Sequence, residues 1–133
     1  MRLAAEELGA SDRIKVIDSA NLSTGIGLLV VEAAIMAKNN RTASQIVSEI
    51  EKLKPNVRAS FVVDTLTYLY RGGRCNAVAA MAGGVLKLHP RIVVEDGAMN
   101  ASKKYRGKIA SVVMNYVKDM EKDLKKRDLN AYL

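Results

Sequence analysis

One stretch limits the folds open to this chain. From about Gly25 to Lys38 the sequence reads as a helix whose apolar residues go round nearly its whole circumference: Ile26, Leu28, Leu29, Val30, Val31, Ala33, Ala34, Ile35 and Met36. A helix apolar on every side is buried between layers or lines a cavity. Ser23 or Thr24 is placed to cap its start. A membrane span is excluded. The longest uncharged apolar stretch, Ala20 to Val31, contains Asn, Ser, Thr and two Gly, and is well short of the roughly 20 residues a bilayer needs.

The rest of the chain alternates helices with short strands. Residues 2 to 8 read as a helix end closed by Gly9, and Arg13 to Asp18 as an apolar, β-branched strand. Thr42-Ala-Ser-Gln45 has capping-box spacing. It opens a helix with Ile46, Val47, Ile50 and Leu53 as its stripe, which Pro55 ends. Ala59 to Asp64 is a strand, and Thr65 to Tyr70 a short helix stopped by Gly72-Gly73. Asn76 to Leu86 reads as an Ala- and Gly-rich helix that packs closely on a neighbour. Pro90 to Glu95 is a third strand, Asp96-Gly97 a tight turn, and Ala98 to Lys103 a return strand. From Arg106 to about Arg127 a last helix carries Ile109, Val112, Val113, Tyr116, Val117, Met120 and Leu124 on one side.

This is an α/β pattern. The sheet is small for so many apolar helices, so the sequence reads as part of a larger architecture. Self-association is one route by which such a chain would cover its apolar faces.

Composition narrows the function. The 133 residues are 49% apolar, which suits an ordinary globular domain. The start, Met-Arg-Leu-Ala-Ala-Glu-Glu-Leu-Gly, puts two acids where a secretion signal carries its apolar segment. The lone Cys75 forms no internal disulfide, so a cytoplasmic setting is expected. One histidine and one cysteine leave no standard zinc site. The net charge is +7, of which residues 101 to 133, with nine basic and four acidic residues, carry +5. A basic anion- or nucleic-acid-binding module is therefore an alternative reading. The five Tyr and one Phe are not interleaved with the cations, as a base-stacking platform requires, so no nucleic acid is expected.

Catalytic patterns are missing. Gly25-Ile-Gly27 has Val30 where a dinucleotide fingerprint needs its third glycine. His89 has no identifiable Ser, Cys or carboxylate partner and reads as a strand-entry residue; Cys75 reads as a small buried hydrophobe. No enzyme is expected, and no cofactor or metal. Three loops keep chemical interest. Asp18 to Gly25 brings Ser19, Ser23 and Thr24 to a helix start, where hydroxyls and free N–H groups hold an anion or serve simply as strand exit and cap. Arg71-Gly72-Gly73-Arg74 offers close backbone approach and two guanidiniums, or a plain helix corner. Ser102 to Lys108 is a basic run at a helix start, where cations are disfavoured by the dipole.

In order along the chain, Val16-Ile-Asp-Ser19, Ser23-Thr-Gly-Ile-Gly-Leu-Leu-Val30, Phe61-Val-Val-Asp-Thr-Leu-Thr-Tyr-Leu69, Gly72-Gly-Arg74, Leu86-Lys-Leu-His-Pro90, Glu95-Asp-Gly97 and Lys104-Tyr-Arg-Gly107 resemble the DegV family of bacterial fatty-acid-binding proteins. The resemblance runs from residue 2 to about residue 127 and covers the middle of the family's length. It implies a partial DegV-like α/β fold: residues 1–24 would end the N-terminal domain, and 25–133 would form an incomplete C-terminal domain. It implies a long-chain fatty acid as bound ligand. It also implies a fatty acid kinase catalytic subunit as partner, to which a full-length relative presents the carboxyl group for acyl phosphate formation in phospholipid synthesis. Membrane contact would be peripheral at most. The implied ligand contacts are Arg74 and Gly73 at the carboxyl end, Ser19, Ser23 and Thr24 on the loop, and Leu29 and Phe61 as apolar wall. His89 does not match the family's histidine. The segments with the family's carboxylate-holding Ser, Thr and His fall outside the matched region, so this chain reads as a fragment.

Overall fold

Local rules account for most of the elements in the computed structural model, which describes residues 1–73 and 88–125. Helix α1, Arg2–Glu7, ends through Leu8 on Gly9 at φ +59°. The Gly9 N–H reaches Glu6 O at 2.9 Å and the Ala10 N–H reaches Ala5 O at 2.8 Å, so two carbonyls of the last turn are satisfied. Helix α2 spans Thr24–Lys38 and helix α3 Ala43–Leu53. Thr42 and Gln45 form the expected reciprocal capping box on α3. A 3₁₀ turn, Lys54–Asn56, contains Pro55. Strand β1 is Ala59–Val62, helix α4 Thr67–Arg71, strand β2 Leu88–Glu95, strand β3 Ala98–Arg106 and helix α5 Ile109–Lys125. The class is α/β, with one small sheet in the order β1-β2-β3. The Ala-rich segment from Asn76 lies outside the described residues.

The chain divides into two compact units, Met1–Ala59 with Val94–Ala98, and Ser60–Val93 with Met99–Leu133. Helices α2 and α3 pack together, and the Asn21 side chain bonds to Val57 O at 3.0 Å.

In the first unit, two expectations change. Arg13 to Asp18 is not a strand. A ladder needs a partner, and the backbones of Lys15, Val16 and Ile17 bond to no described residue. Helix α2 is less covered than its composition demands. Gly25 and Leu29 are buried and Ala33 and Met36 half-buried, one stripe at helical spacing, with α3 as the packed neighbour. Ile26, Leu28, Val30, Val31 and Ile35 are 41–60% exposed.

Strands β2 and β3 form a hairpin through Asp96 (φ 52°) and Gly97 (φ 75°). Two successive positive φ values give the turn whose twist matches the strands. Neighbouring strand residues face opposite ways. Phe61 and Ile92 point to one face, where Leu66, Leu69, Met99 and Ala101 pack on the fully buried Ile92. Ser60 and Arg91 point to the other, where α5 lies. Helix α5 is tied to all three strands. Tyr116 donates to Ser60 O at 2.7 Å, and Arg91 donates to Asp123 at 3.1 Å with its guanidinium over the Tyr116 ring. Lys103 and Tyr105 both donate to Asp119. Burial and the Asp119 carboxylate push the Tyr105 hydroxyl up to about 12. Hydrogen bonds from Lys103 and Tyr105 hold the Asp119 carboxyl below its usual value.

Candidate functional site

The loop from Asp18 to Gly25 is built on its own hydrogen bonds. The Asp18 carboxylate accepts from the Ala20 N–H at 2.9 Å. The Ser19 hydroxyl accepts from Asn21 N and donates to Asn21 O, both at 3.2 Å. The Asn21 side chain accepts from the Leu22 N–H and donates to Val57 O, each at 3.0 Å. Residues 22 to 25 close a turn through a Gly25 N–H to Leu22 O bond of 3.0 Å. Its first central residue, Ser23, sits at φ 48°, ψ −122°. This is the corner of a type II′ turn, a glycine-favouring conformation. Ser23 occupies the N-cap position of α2, as expected, but its hydroxyl does not cap the helix. Ser23 and Thr24 are exposed, and Ser19 is half-buried with its hydroxyl engaged.

The buried Gly25 leaves the space that Asn21 fills, since a Cβ there would overlap Asn21 Oδ1. The sequence reading gave Asn21 no role. Its signal was weak: an amide between two serines, whose partner Val57 lies 36 residues away.

Of the other candidate residues, Phe61 and Gly73 lie in the second unit. Phe61 is half-buried against Ile92. Gly73 is exposed at φ +64°, a left-handed conformation that fits glycine. Arg74 and Cys75 lie outside the described residues. Leu29 is 5% exposed, inside the covered stripe of α2, so the open apolar wall of that helix is made by Leu28, Val30, Val31 and Ile35. The basic run falls mostly on β3 rather than at a helix start. Lys103 is paired with Asp119, while Lys104, Arg106 and Lys108 are exposed.

His89 is not an ordinary strand-entry residue. It is 4% exposed, with Nδ1 3.1 Å from Val63 O and Nε2 3.0 Å from Gly107 O. It joins the exit of β1 to the corner between β3 and α5.

The first unit also holds an open groove of about 270 Å³. Arg2, Glu6, Ile14, Ile17, Val47 and Glu51 are among its walls. It is smaller than the roughly 300–1,000 Å³ of an ordinary ligand pocket.

Among the described residues, no helix is long and apolar enough to cross a membrane. The family model described as "Uncharacterised protein, DegV family" matches residues 1–130. A DegV domain-containing protein of Caldanaerobacter subterraneus is 35% identical over 127 residues, which is 94% of this chain and 45% of the relative. One from Deinococcus radiodurans is 37% identical over 106 residues, or 80% and 37% of the two chains. Among solved structures, a fatty-acid-binding DegV family protein from Thermus thermophilus superposes with a TM-score of 0.65 at 31% identity, covering 80% of this chain and 37% of that one. DegV of Bacillus subtilis, a fatty acid binding protein, gives 0.63 at 30% identity, with 83% and 39% covered. The chain spans less than half the length of the curated relatives it matches. The match over nearly all of its residues, carried by two kinds of comparison with known sequences and by the fold, places this chain in the DegV family.

Proposed function

We propose that this chain contributes to a site for a long-chain fatty acid, and that it acts by binding rather than by catalysis. The observation that carries the reading is helix α2. It is apolar on all sides, yet only one stripe is covered, and it starts at a strained loop rich in hydroxyls. An uncovered aliphatic wall suits a hydrocarbon tail, since each buried CH₂ contributes about 0.8 kcal/mol. The fatty acids named for the Thermus and Bacillus relatives support the same ligand class. In this reading Leu28, Val30, Val31 and Ile35 offer apolar surface to the tail, and Leu29 and Phe61 are further proposed tail contacts. Ser19, Ser23 and Thr24 offer hydroxyls, and Gly73 and Arg74 take the carboxyl end. Residues 1–24 would then belong to the family's first domain. The chain would act in the cytoplasm, and a full-length relative would present the carboxyl group to a kinase that forms the acyl phosphate.

Native mass spectrometry of the gently purified chain, loaded with stearic acid, tests the binding step. The expected spectrum shows one added acyl chain, lost or reduced in Arg74→Ala. A clean apo mass after loading rejects the assignment for this chain. The kinase step needs a separate measurement: acyl phosphate formed from loaded protein, ATP and a purified fatty acid kinase catalytic subunit.

A further inference from the structure

We infer that His89 is a proton-dependent latch on the corner between β3 and α5. Both ring nitrogens face backbone carbonyls, Nδ1 at 3.1 Å from Val63 O and Nε2 at 3.0 Å from Gly107 O. A carbonyl oxygen only accepts. Neutral imidazole has one N–H and one lone pair, whereas the imidazolium donates from both nitrogens. The two bonds therefore exist together only when the ring holds two protons. Without the second proton, one lone pair points at a carbonyl oxygen inside a site that is 4% exposed, where water has little access to repair the contact.

The neighbouring charges decide which arm opens. Asp64 Oδ1 lies 3.6 Å from Nδ1, on the same side as Val63 O. Among the described residues it is the acidic group within ion-pair distance of the ring. On the opposite side Arg106 and Lys108 flank Gly107 and are exposed. On the histidine's own strand, the Arg91 guanidinium is engaged with Asp123. A single proton is held on Nδ1, where a carbonyl and a carboxylate both accept it. The Nε2 arm to Gly107 is the one that releases. Gly107 has φ +122°, a glycine conformation at the joint where β3 ends and α5 begins. The latch thus sets the hold on a corner that carries two exposed cations.

The test is an NMR titration of the whole chain from pH 5 to 8.5, following the His89 ring nitrogens and the carbonyl carbons of Val63 and Gly107. The expected result is a doubly protonated ring at low pH and an Nδ1–H ring at high pH. The Gly107 carbonyl shift should follow the ring's midpoint, and Val63 should move less. A Gly107 carbonyl that stays flat while the ring titrates overturns the latch. So does a ring whose protonation never changes across the range, or an Nε2–H ring at high pH. His89→Ala should abolish the Gly107 response; if that variant does not fold, the wild-type titration alone decides. Asp64→Asn is the control: a Gly107 response that disappears with the carboxylate, while the ring still titrates, assigns the effect to Asp64 and refutes the latch.

Discussion

Replacing Gly25 by alanine should destabilise this protein, although the same change on a helix ordinarily stabilises it. Gly25 lies in the first turn of α2, where alanine is favoured over glycine by up to about 1 kcal/mol through a smaller loss of chain entropy. A Cβ at this position overlaps Asn21 Oδ1, so the asparagine must leave. It then gives up the bond to Val57 O and the bond from Leu22 N–H, both 3.0 Å. At about 0.5–1.5 kcal/mol each, the two bonds contribute about 1–3 kcal/mol. After the helix term is subtracted, Gly25→Ala should lose up to about 2 kcal/mol.

Urea unfolding followed by far-UV circular dichroism measures this, provided the slope is unchanged between variants. The decisive comparison is a double-mutant cycle. With Asn21→Ala already in place, the overlap with the asparagine side chain is gone, and Gly25→Ala should now stabilise by up to about 1 kcal/mol. A change of sign between the two backgrounds is the expected result. If Gly25→Ala stabilises both equally, Asn21 does not need the space and the account of this loop is wrong.

Three further outcomes follow from the same geometry. Ile92 is fully buried, and Ile92→Ala should lose about 2–5 kcal/mol in urea unfolding. Tyr105 has its hydroxyl raised to about 12 in the folded chain, while the unfolded group titrates near 10. Stability should therefore be complete below pH ~10 and fall by on the order of 2 kcal/mol as the pH rises towards 12. Tyr105→Phe should lack that component, and identical alkaline unfolding of the two proteins would contradict it. Ser23→Gly should raise stability by about 1 kcal/mol, because glycine adopts φ 48°, ψ −122° without strain. The same variant should bind stearic acid less well.

How much the sequence revealed depended on how local each cause was. Asp96-Gly97, the Thr42–Gln45 capping box and Gly9 were readable because each feature is completed within a few residues. Arg13 to Asp18 has strand composition, but pairing is a property of two segments, and composition reports only one. Proline at position 90 sits inside β2, which begins two residues earlier than expected, at Leu88. The roles of His89 and Asn21 depend on carbonyls 26, 18 and 36 residues away, and no spacing rule reaches that far. Helix α2 was read correctly as apolar all round, but composition does not say which stripe another element will cover.

Two features of the first unit oppose stability for no gain in packing. Ser23 holds a backbone conformation suited to glycine, and α2 beyond it exposes five aliphatic side chains. Strain of this kind is kept where the surrounding structure over-determines it, and here Asn21 does so through Val57 and Leu22. A chain optimised only to fold would place glycine at 23 and polar residues along the open stripe of α2. It carries instead a hydroxyl at the tip of the loop and hydrocarbon along the helix. A carboxyl group followed by an alkyl tail requires that same pairing, a polar end continuous with an apolar wall. The gain in stability expected for Ser23→Gly and its loss in stearic acid binding are therefore one prediction. If glycine raised stability with binding unchanged, the strain would be incidental and the loop would have no part in holding the ligand.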